Sequence, residues 1–395
     1  MQVPLLDLKL QYQPLREQIR AAFDRLADAQ TLILGEEVEL LEKSVASYCG
    51  ANHAIGVSSG TDAELLILMA LGIGPGDTVI TTPYTFFATA GCVARVGATP
   101  VFVDIDPVTF NISPAALEAA LKKTANVKAI IPVHLFGCCA DMDAIRALGE
   151  KFNVPVIEDA AQALGARHPL GGAGAIGEFG YFSFYPTKNL GAFGDAGMVT
   201  CRDAEMAAKL RAMRNHGMEP RYFHKWIGGN FRIDAIQAAV LNVKLPHLDA
   251  WSAARREHAA FYRGEFARLG LDIIVTLPVE PWKQGGTGFQ PVMESQHRLE
   301  ACATSPNHHI YNQFVIRAPR RDELRAHLQK HGVGSEIYYP LALHMQECFA
   351  PLGCREGDFP ESEKAARETL ALPIFPELTR EQLRYVAETI AGFYR

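Results

Sequence analysis

Short apolar runs alternate with helix-like stretches through the first half of the chain, and few architectures accept that order. The runs are Ala54 to Val57, Thr78 to Thr81, Thr99 to Val103, Ala129 to Val133, Val154 to Ile157, Gly180 to Phe184 and Gly197 to Thr200. Between them lie helix candidates at Thr61 to Leu71, Ser113 to Lys122 and Met142 to Phe152, the second opening on a Ser113-Pro114 start signal. Uninterrupted apolar strands covered by crossover helices predict an α/β domain around a mostly parallel, doubly covered sheet.

The pattern changes near Asp234, where helical periodicity runs through Gln237, Ala238, Ala239 and Leu241 and then continues from Leu248 to Leu269. Tyr311 to Ile316, Arg321 to His331 and Thr379 to Phe393 predict a smaller α+β unit, so the chain divides into a large domain, 1–245, and a small C-terminal domain, 246–395. A length of 395 residues suits that division and buries ample apolar surface. The stretch Pro281 to Asn307 has little apolar period and reads as an inserted surface loop.

Three segments carry the chemistry. Ser58-Ser59-Gly60-Thr61-Asp62 follows a strand and opens a helix, a context in which free amides and the helix dipole attract a phosphate; the Ser59 and Asp62 spacing equally suits a capping box. Val154 to Gln162 is a buried-type strand with Glu158 and Asp159 at its carboxyl end, where open α/β sheets bind ligands. Asp159 is placed to keep a heteroaromatic nitrogen protonated, or else to cap a following helix. Tyr181 to Gly191 is a strand ending in a turn that presents Lys188, and a lysine desolvated in such a crevice becomes a Schiff-base nucleophile. A phosphate cradle, a strand-end acid and a strand-end lysine together describe a pyridoxal-phosphate site.

Other signals fail their context. Gly172 to Gly177 matches GxGxxG but leads into a strand, not a helix, and Cys138-Cys139 and His308-His309 lack metal-ligand spacing, so no metal is expected. A formal net charge of -6 without a basic block disfavours a nucleic-acid partner, and Arg95 interrupts the apolar stretch Phe86 to Val103, which disfavours a membrane span. Eight scattered cysteines without a CxxC pair fit reduced thiols in the cytoplasm.

These residues resemble the DegT/DnrJ/EryC1/StrS sugar aminotransferases, over nearly the whole chain outside Pro281 to Asn307. The resemblance implies the aspartate aminotransferase-like fold type I and pyridoxal 5'-phosphate (PLP), cycling with its pyridoxamine form (PMP). It implies that Lys188 carries the cofactor, Asp159 pairs with the ring nitrogen, and Gln162 contacts the ring hydroxyl. By the same resemblance Gly60, Thr61 and Ser183 hold the phosphate, Phe86 stacks on the ring, and Asn230 reaches the phosphate of the neighbouring subunit, which makes the unit a homodimer with shared active sites. Tyr185, Tyr338 and Tyr339 are the expected substrate contacts, although Tyr338-Tyr339-Pro340 departs from the family's usual His-Tyr-Pro.

The implied reaction takes an amino group from L-glutamate and delivers it to a nucleotide-linked keto sugar, with ping-pong kinetics and Lys188 as nucleophile and general acid/base. After the lysine the chain reads Asn189 to Gly197 with Asp195 between glycine and alanine, resembling members that act on 3-keto sugars; members acting on 4-keto sugars more often carry Thr-Gly-Glu-Gly-Gly. Arg221 to His224 resembles the same 3-keto group. The expected substrate is therefore a dTDP-3-keto-6-deoxyhexose aminated at C3, with C4 amination of a 4-keto sugar as the alternative. A dehydratase of the same fold would replace Lys188 by histidine, and a non-catalytic regulator would have no use for the full cofactor set.

Overall fold

The computed structural model describes residues 1–279 and 309–395, and the segment 281–307, read above as an insert, lies outside the described residues. The apolar runs become β1 (His53–Val57), β2 (Thr78–Thr81), β3 (Thr99–Phe102), β4 (Val127–Ile130), β5 (Ile157–Asp159), a short ribbon of β6 (Arg167–His168) and β7 (Gly171–Gly172), β8 (Phe179–Ser183) and β9 (Gly197–Cys201). β2 pairs in parallel with β3 and β4, β5 pairs in parallel with β8, and β9 runs antiparallel to both β8 and β1. Parallel bridges at Ile130↔Val156 and Val133↔Asp159 join the two groups into one sheet of order β3-β2-β4-β5-β8-β9-β1. All but β9 point the same way, so their carboxyl ends open on one edge.

Two strands are displaced from their sequence-based positions. β4 ends at Ile130 and β5 begins at Ile157, where the apolar pattern predicts Ala129 to Val133 and Val154 to Ile157. Pro132 and Pro155 have no N–H to give, so between them the ladder thins to single bridges and carbonyl contacts: Ile130 N to Pro155 O at 3.0 Å and Asp159 N to Pro132 O at 2.9 Å.

Helices Gly60–Ala70, Pro114–Leu121 and Met142–Phe152 cover the sheet where expected, and each has a side-chain cap, from Ser59, Ser113 and Asp141. Gly60–Ala70 is apolar on nearly every side and buried on nearly every side, packed between the sheet and helices Ala88–Arg95 and Ala204–Arg214. Residues 235–244 and 248–269 are helical, and Leu245–His247, with Pro246 inside it, tightens to a 3-10 turn between them. Helices Leu8–Tyr12, Arg16–Ala29 and Glu36–Cys49 precede the sheet.

The C-terminal part pairs β10 (Phe314–Arg317) with β11 (Thr369–Leu372) in antiparallel register, Phe314↔Leu372, beneath helices Arg321–Lys330 and Arg380–Tyr394. Thr379 and Gln382 form a reciprocal capping box at the start of the last helix. Tyr262, Phe266, Phe314, Leu324, Leu383 and Ile390 form its core, and Val3 joins that core through the bridge Val3↔Val333. The two parts are tied by Asp104, after β3, whose carboxylate accepts from Glu361 N and Ser362 N, both at 2.9 Å, at the start of helix Pro360–Glu368. Among the described residues no helix is long and apolar enough to cross a membrane.

Candidate active site

The shared direction of β1, β5 and β8 gathers Gly60, Asp159, Ser183 and Lys188 at one edge of the sheet. Gly60 begins the helix after β1, and the amides of Gly60 and Thr61 have no acceptor among the described residues. A Cβ on Gly60 would meet Ser183 Cβ at 2.8 Å, and one on Gly197 would meet the Ser59 carbonyl carbon at 2.4 Å, so two glycines let the helix start sit directly on the ends of β8 and β9. The capping alternative is present too: Ser59 Oγ accepts from Asp62 N at 3.0 Å. It satisfies the third amide of the helix and leaves the first two for an anion.

Asp159 is buried at the end of β5. Turns follow it, not a helix, so it caps nothing. Its Oδ2 accepts from Thr89 Oγ1 at 2.8 Å and its Oδ1 from Ala161 N at 3.1 Å. Gln162 accepts from Phe136 N at 2.7 Å and donates to the Tyr339 hydroxyl at 3.1 Å, which fixes its amide across the site. Phe86 is 55% exposed, with its ring centroid 6.1 Å from that of Tyr339. Burial and the Asp159 charge push the Tyr339 phenol upward, so it stays neutral. The Tyr338 carbonyl accepts from the Tyr84 hydroxyl at 2.6 Å.

Lys188 lies in the turn after β8, its amide donating to Tyr185 O at 2.8 Å. Its side chain is half-buried, and its ammonium has no hydrogen-bond or ion-pair partner among the described residues. Desolvation lowers its pKa to about 8, against the weaker opposing attraction of Asp159. The turn is rigidly held. Ala192 N donates to Phe184 O at 2.8 Å, the buried Lys244 ammonium donates to Gly191 O, and a Cβ on Gly191 would collide with Pro186 O. Tyr185 is exposed on the same turn, whereas Leu190 is packed into the core and faces no ligand.

Asn230 is exposed, its backbone bridged to Asn215, and within one chain it joins none of the residues above. The GxGxxG-like loop serves an internal anion: Gly174, Ile176 and Gly177 amides donate to the buried Glu158 carboxylate at 2.9, 2.6 and 2.7 Å, with His134 Nε2 at 2.8 Å on the other side. Sequence reasoning missed Thr89 and Tyr181 as partners of Asp159. Tyr181 had a signal, since it stands two residues before Ser183 and shares its face of β8. The free amides, the close-packed glycines, the desolvated amine and the strand-end carboxylate fit pyridoxal phosphate in chemistry and arrangement.

Comparison with known proteins agrees. The profile of the DegT/DnrJ/EryC1/StrS aminotransferase family matches residues 13–391. A protein of Geobacillus stearothermophilus named pleiotropic regulatory protein is 49% identical over 395 residues, 100% of this chain and 99% of its own. The UDP-N-acetyl-3-dehydro-alpha-D-glucosamine 3-aminotransferase of Acidithiobacillus ferrooxidans is 42% identical over 388 residues, 98% of this chain and 97% of its own. Among solved structures, S. venezuelae DesV in complex with a ketimine intermediate superposes with a TM-score of 0.89 at 39% identity, covering 99% of this chain and 98% of that one.

Proposed function

The chain belongs to the DegT/DnrJ/EryC1/StrS aminotransferase family, and from that premise we propose that it transfers the amino group of L-glutamate to C3 of a nucleotide-linked 3-keto sugar, in the first instance a dTDP-3-keto-6-deoxyhexose. The observation that carries the reading is the position of Lys188 in the turn after β8, next to the strand β5 whose end bears the buried Asp159 carboxylate. When bound, pyridoxal phosphate supplies the electron sink and carries the amino group between donor and acceptor.

The chain's own residues do the rest. The Gly60 and Thr61 amides and the Ser183 hydroxyl bind the phosphate at the positive end of the helix. Asp159 holds the proton on the ring nitrogen, and Thr89 and Ala161 N keep its carboxylate aimed. Phe86 and Tyr339 flank the ring and exclude water, while Gln162 orients its hydroxyl edge. Lys188 Nζ, its pKa lowered to about 8, would move the proton from the α-carbon of the amino donor to the bound cofactor in one half of the cycle, and from the cofactor to the sugar carbon that receives the amine in the other. In this reading Tyr185, Tyr338 and Tyr339 would contact the sugar, Tyr185 being exposed on the lysine turn.

The exposed Asn230 suits a role in a neighbouring subunit's site, and the exposed Tyr222, Phe223 and Ile227 beside it suit burial in a homodimer. Residues 1–245 and 246–395 form the two units of each subunit in this reading. A cytoplasmic location fits the free cysteines among the described residues. The regulatory name of one relative does not favour a silent sensor, since a chain that only senses has no need of an unpaired, desolvated lysine facing a carboxylate. The test is optical and chemical. The purified protein with pyridoxal phosphate should be yellow, and glutamate should bleach it with release of 2-oxoglutarate; a protein that binds the cofactor but is not bleached by glutamate would defeat the reading.

A further inference from the structure

Glu64 is the single polar side chain between Ala63 and Ala70, and it is fully buried. It sits one helical turn beyond the Gly60 and Thr61 amides, on the helix that runs from the phosphate end of the site beneath the sheet edge. Its Oε2 is 3.0 Å from the Tyr181 hydroxyl, and its Oε1 has no hydrogen-bond partner. The titratable groups that face it are Tyr181 from β8, Cys92 from helix Ala88–Arg95 and Asp159 from β5, and none of these is a cation. A carboxylate so placed would be a buried charge with only a phenol and a thiol to donate to it, no cation beside it and a like charge nearby, which is strongly disfavoured. Burial first and Asp159 second push its acid well above the usual range.

Tyr181 links it to the cofactor site. Tyr181 is the register partner of Asp159 in the parallel β5–β8 ladder, so both side chains leave the same face of the sheet, and its hydroxyl, hydrogen-bonded to Glu64, lies within electrostatic reach of Asp159. A phenol has one proton to donate. An ionised Glu64 would compete with Asp159 for that proton, whereas a protonated Glu64 donates to the phenol oxygen and leaves the phenol proton for Asp159.

We propose that Glu64 is a positioning residue for the cofactor: as a buried neutral acid it turns the Tyr181 hydroxyl onto Asp159 and so moderates the negative charge that Asp159 presents to the ring nitrogen. The inference rests on the reading of Asp159 as the partner of that nitrogen. Glu64 acts at a distance, and its effect is electronic.

The test uses the holoenzyme. An infrared difference spectrum between wild type and Glu64→Gln at neutral pH should contain the carbonyl stretch of a protonated carboxyl group, lost in the variant. In Tyr181→Phe the pH midpoint of the cofactor's visible absorption should rise by about half a pH unit, because Asp159 loses the phenol proton and its charge favours protons on the cofactor more strongly. Glu64→Gln should stay with the wild type, since its amide can donate to Tyr181 as the acid does. Absence of the carboxyl band, or an unmoved midpoint in Tyr181→Phe, would overturn the inference while leaving the site assignment intact. A wild-type protein without a visible band would overturn both.

Discussion

Gly60 packs directly against Ser183: a methyl group on the first would stand 2.8 Å from the Cβ of the second. The helix start and the strand end can approach this closely only because position 60 has no side chain, and their junction is the proposed phosphate niche. Gly60→Ala should push the helix off the strand at a cost of about 1–3 kcal/mol, the usual range for overpacking. Cofactor affinity, followed by spectroscopic titration, should fall roughly tenfold or more for that cost. An unchanged affinity would show that the phosphate binds elsewhere.

Lys188→Ala should leave the fold intact, since the Lys188 ammonium has no partner to lose among the described residues. The variant should form no Schiff base with pyridoxal phosphate, so borohydride should not fix the cofactor to the chain, and its turnover should drop by about 10²–10⁴-fold or more, the span associated with losing a general acid/base. Turnover like that of the wild type would remove Lys188 from the mechanism.

Lys188 also makes a pH prediction. Its folded pKa is about 8, below the ordinary lysine value of 10.5. Between those values the unfolded chain binds more protons than the folded one, so the cofactor-free protein should gain stability from this residue as pH rises through that window. Only the neutral amine attacks an aldehyde, so the rate of cofactor capture by the cofactor-free protein should climb with a midpoint near 8. A rate that keeps climbing beyond pH ~10 would mean a solvated, ordinary lysine.

The strand-end positions of Lys188 and Asp159 were legible in the sequence because the end of a strand is a local feature: an apolar run stops and a polar residue appears, where open α/β sheets bind ligands. Glu64 and Thr89 were not, because their meaning lies in what they meet. Glu64 is an acid within the apolar part of its helix, and Thr89 reaches Asp159 from a helix far away in sequence. The displacement of β4 and β5 depends on carbonyls of Pro132 and Pro155 that partner distant amides, and the pairing of Val3 with Val333 spans nearly the whole chain. Local pattern contains none of these long-range partners.

Glu158 tests the scaffold under the site. Its carboxylate is fully buried and takes three backbone amides plus His134 Nε2. Glu158→Ala would strand all four donors, so the melting temperature should fall by an amount equivalent to about 3–5 kcal/mol, the range for breaking a buried ionic group. A shift under about 1 kcal/mol would mean that water enters and satisfies the loop.

The last prediction concerns which sugar carbon receives the amine. The turn after Lys188, Asn189 to Gly197, resembles that of 3-keto sugar enzymes, and its geometry limits how it could act. Leu190 is packed in the core and cannot touch a sugar, which removes it from the argument. Phe193 is half-exposed but its ring is turned to Tyr12 and Phe23, at centroid distances of 5.6 and 6.3 Å, leaving Asp195 as the exposed acid of the turn. Selection would then come from the path of the backbone itself, held by Lys244 at Gly191, which sets where Lys188 Nζ stands relative to the bound sugar. Only a carbonyl carbon within attack distance of the amine reacts, and C3 and C4 of one ring cannot both occupy that point in a single pose. The enzyme should therefore aminate a dTDP-3-keto-6-deoxyhexose in the presence of glutamate and leave the 4-keto isomer largely untouched, with the nitrogen located at C3 by NMR. A UDP-linked 3-keto sugar offered in parallel separates the choice of carbon from the choice of nucleotide. Amination of the 4-keto isomer alone would reject the C3 assignment and the role given to this turn, while the aminotransferase chemistry of Lys188 and Asp159 would stand.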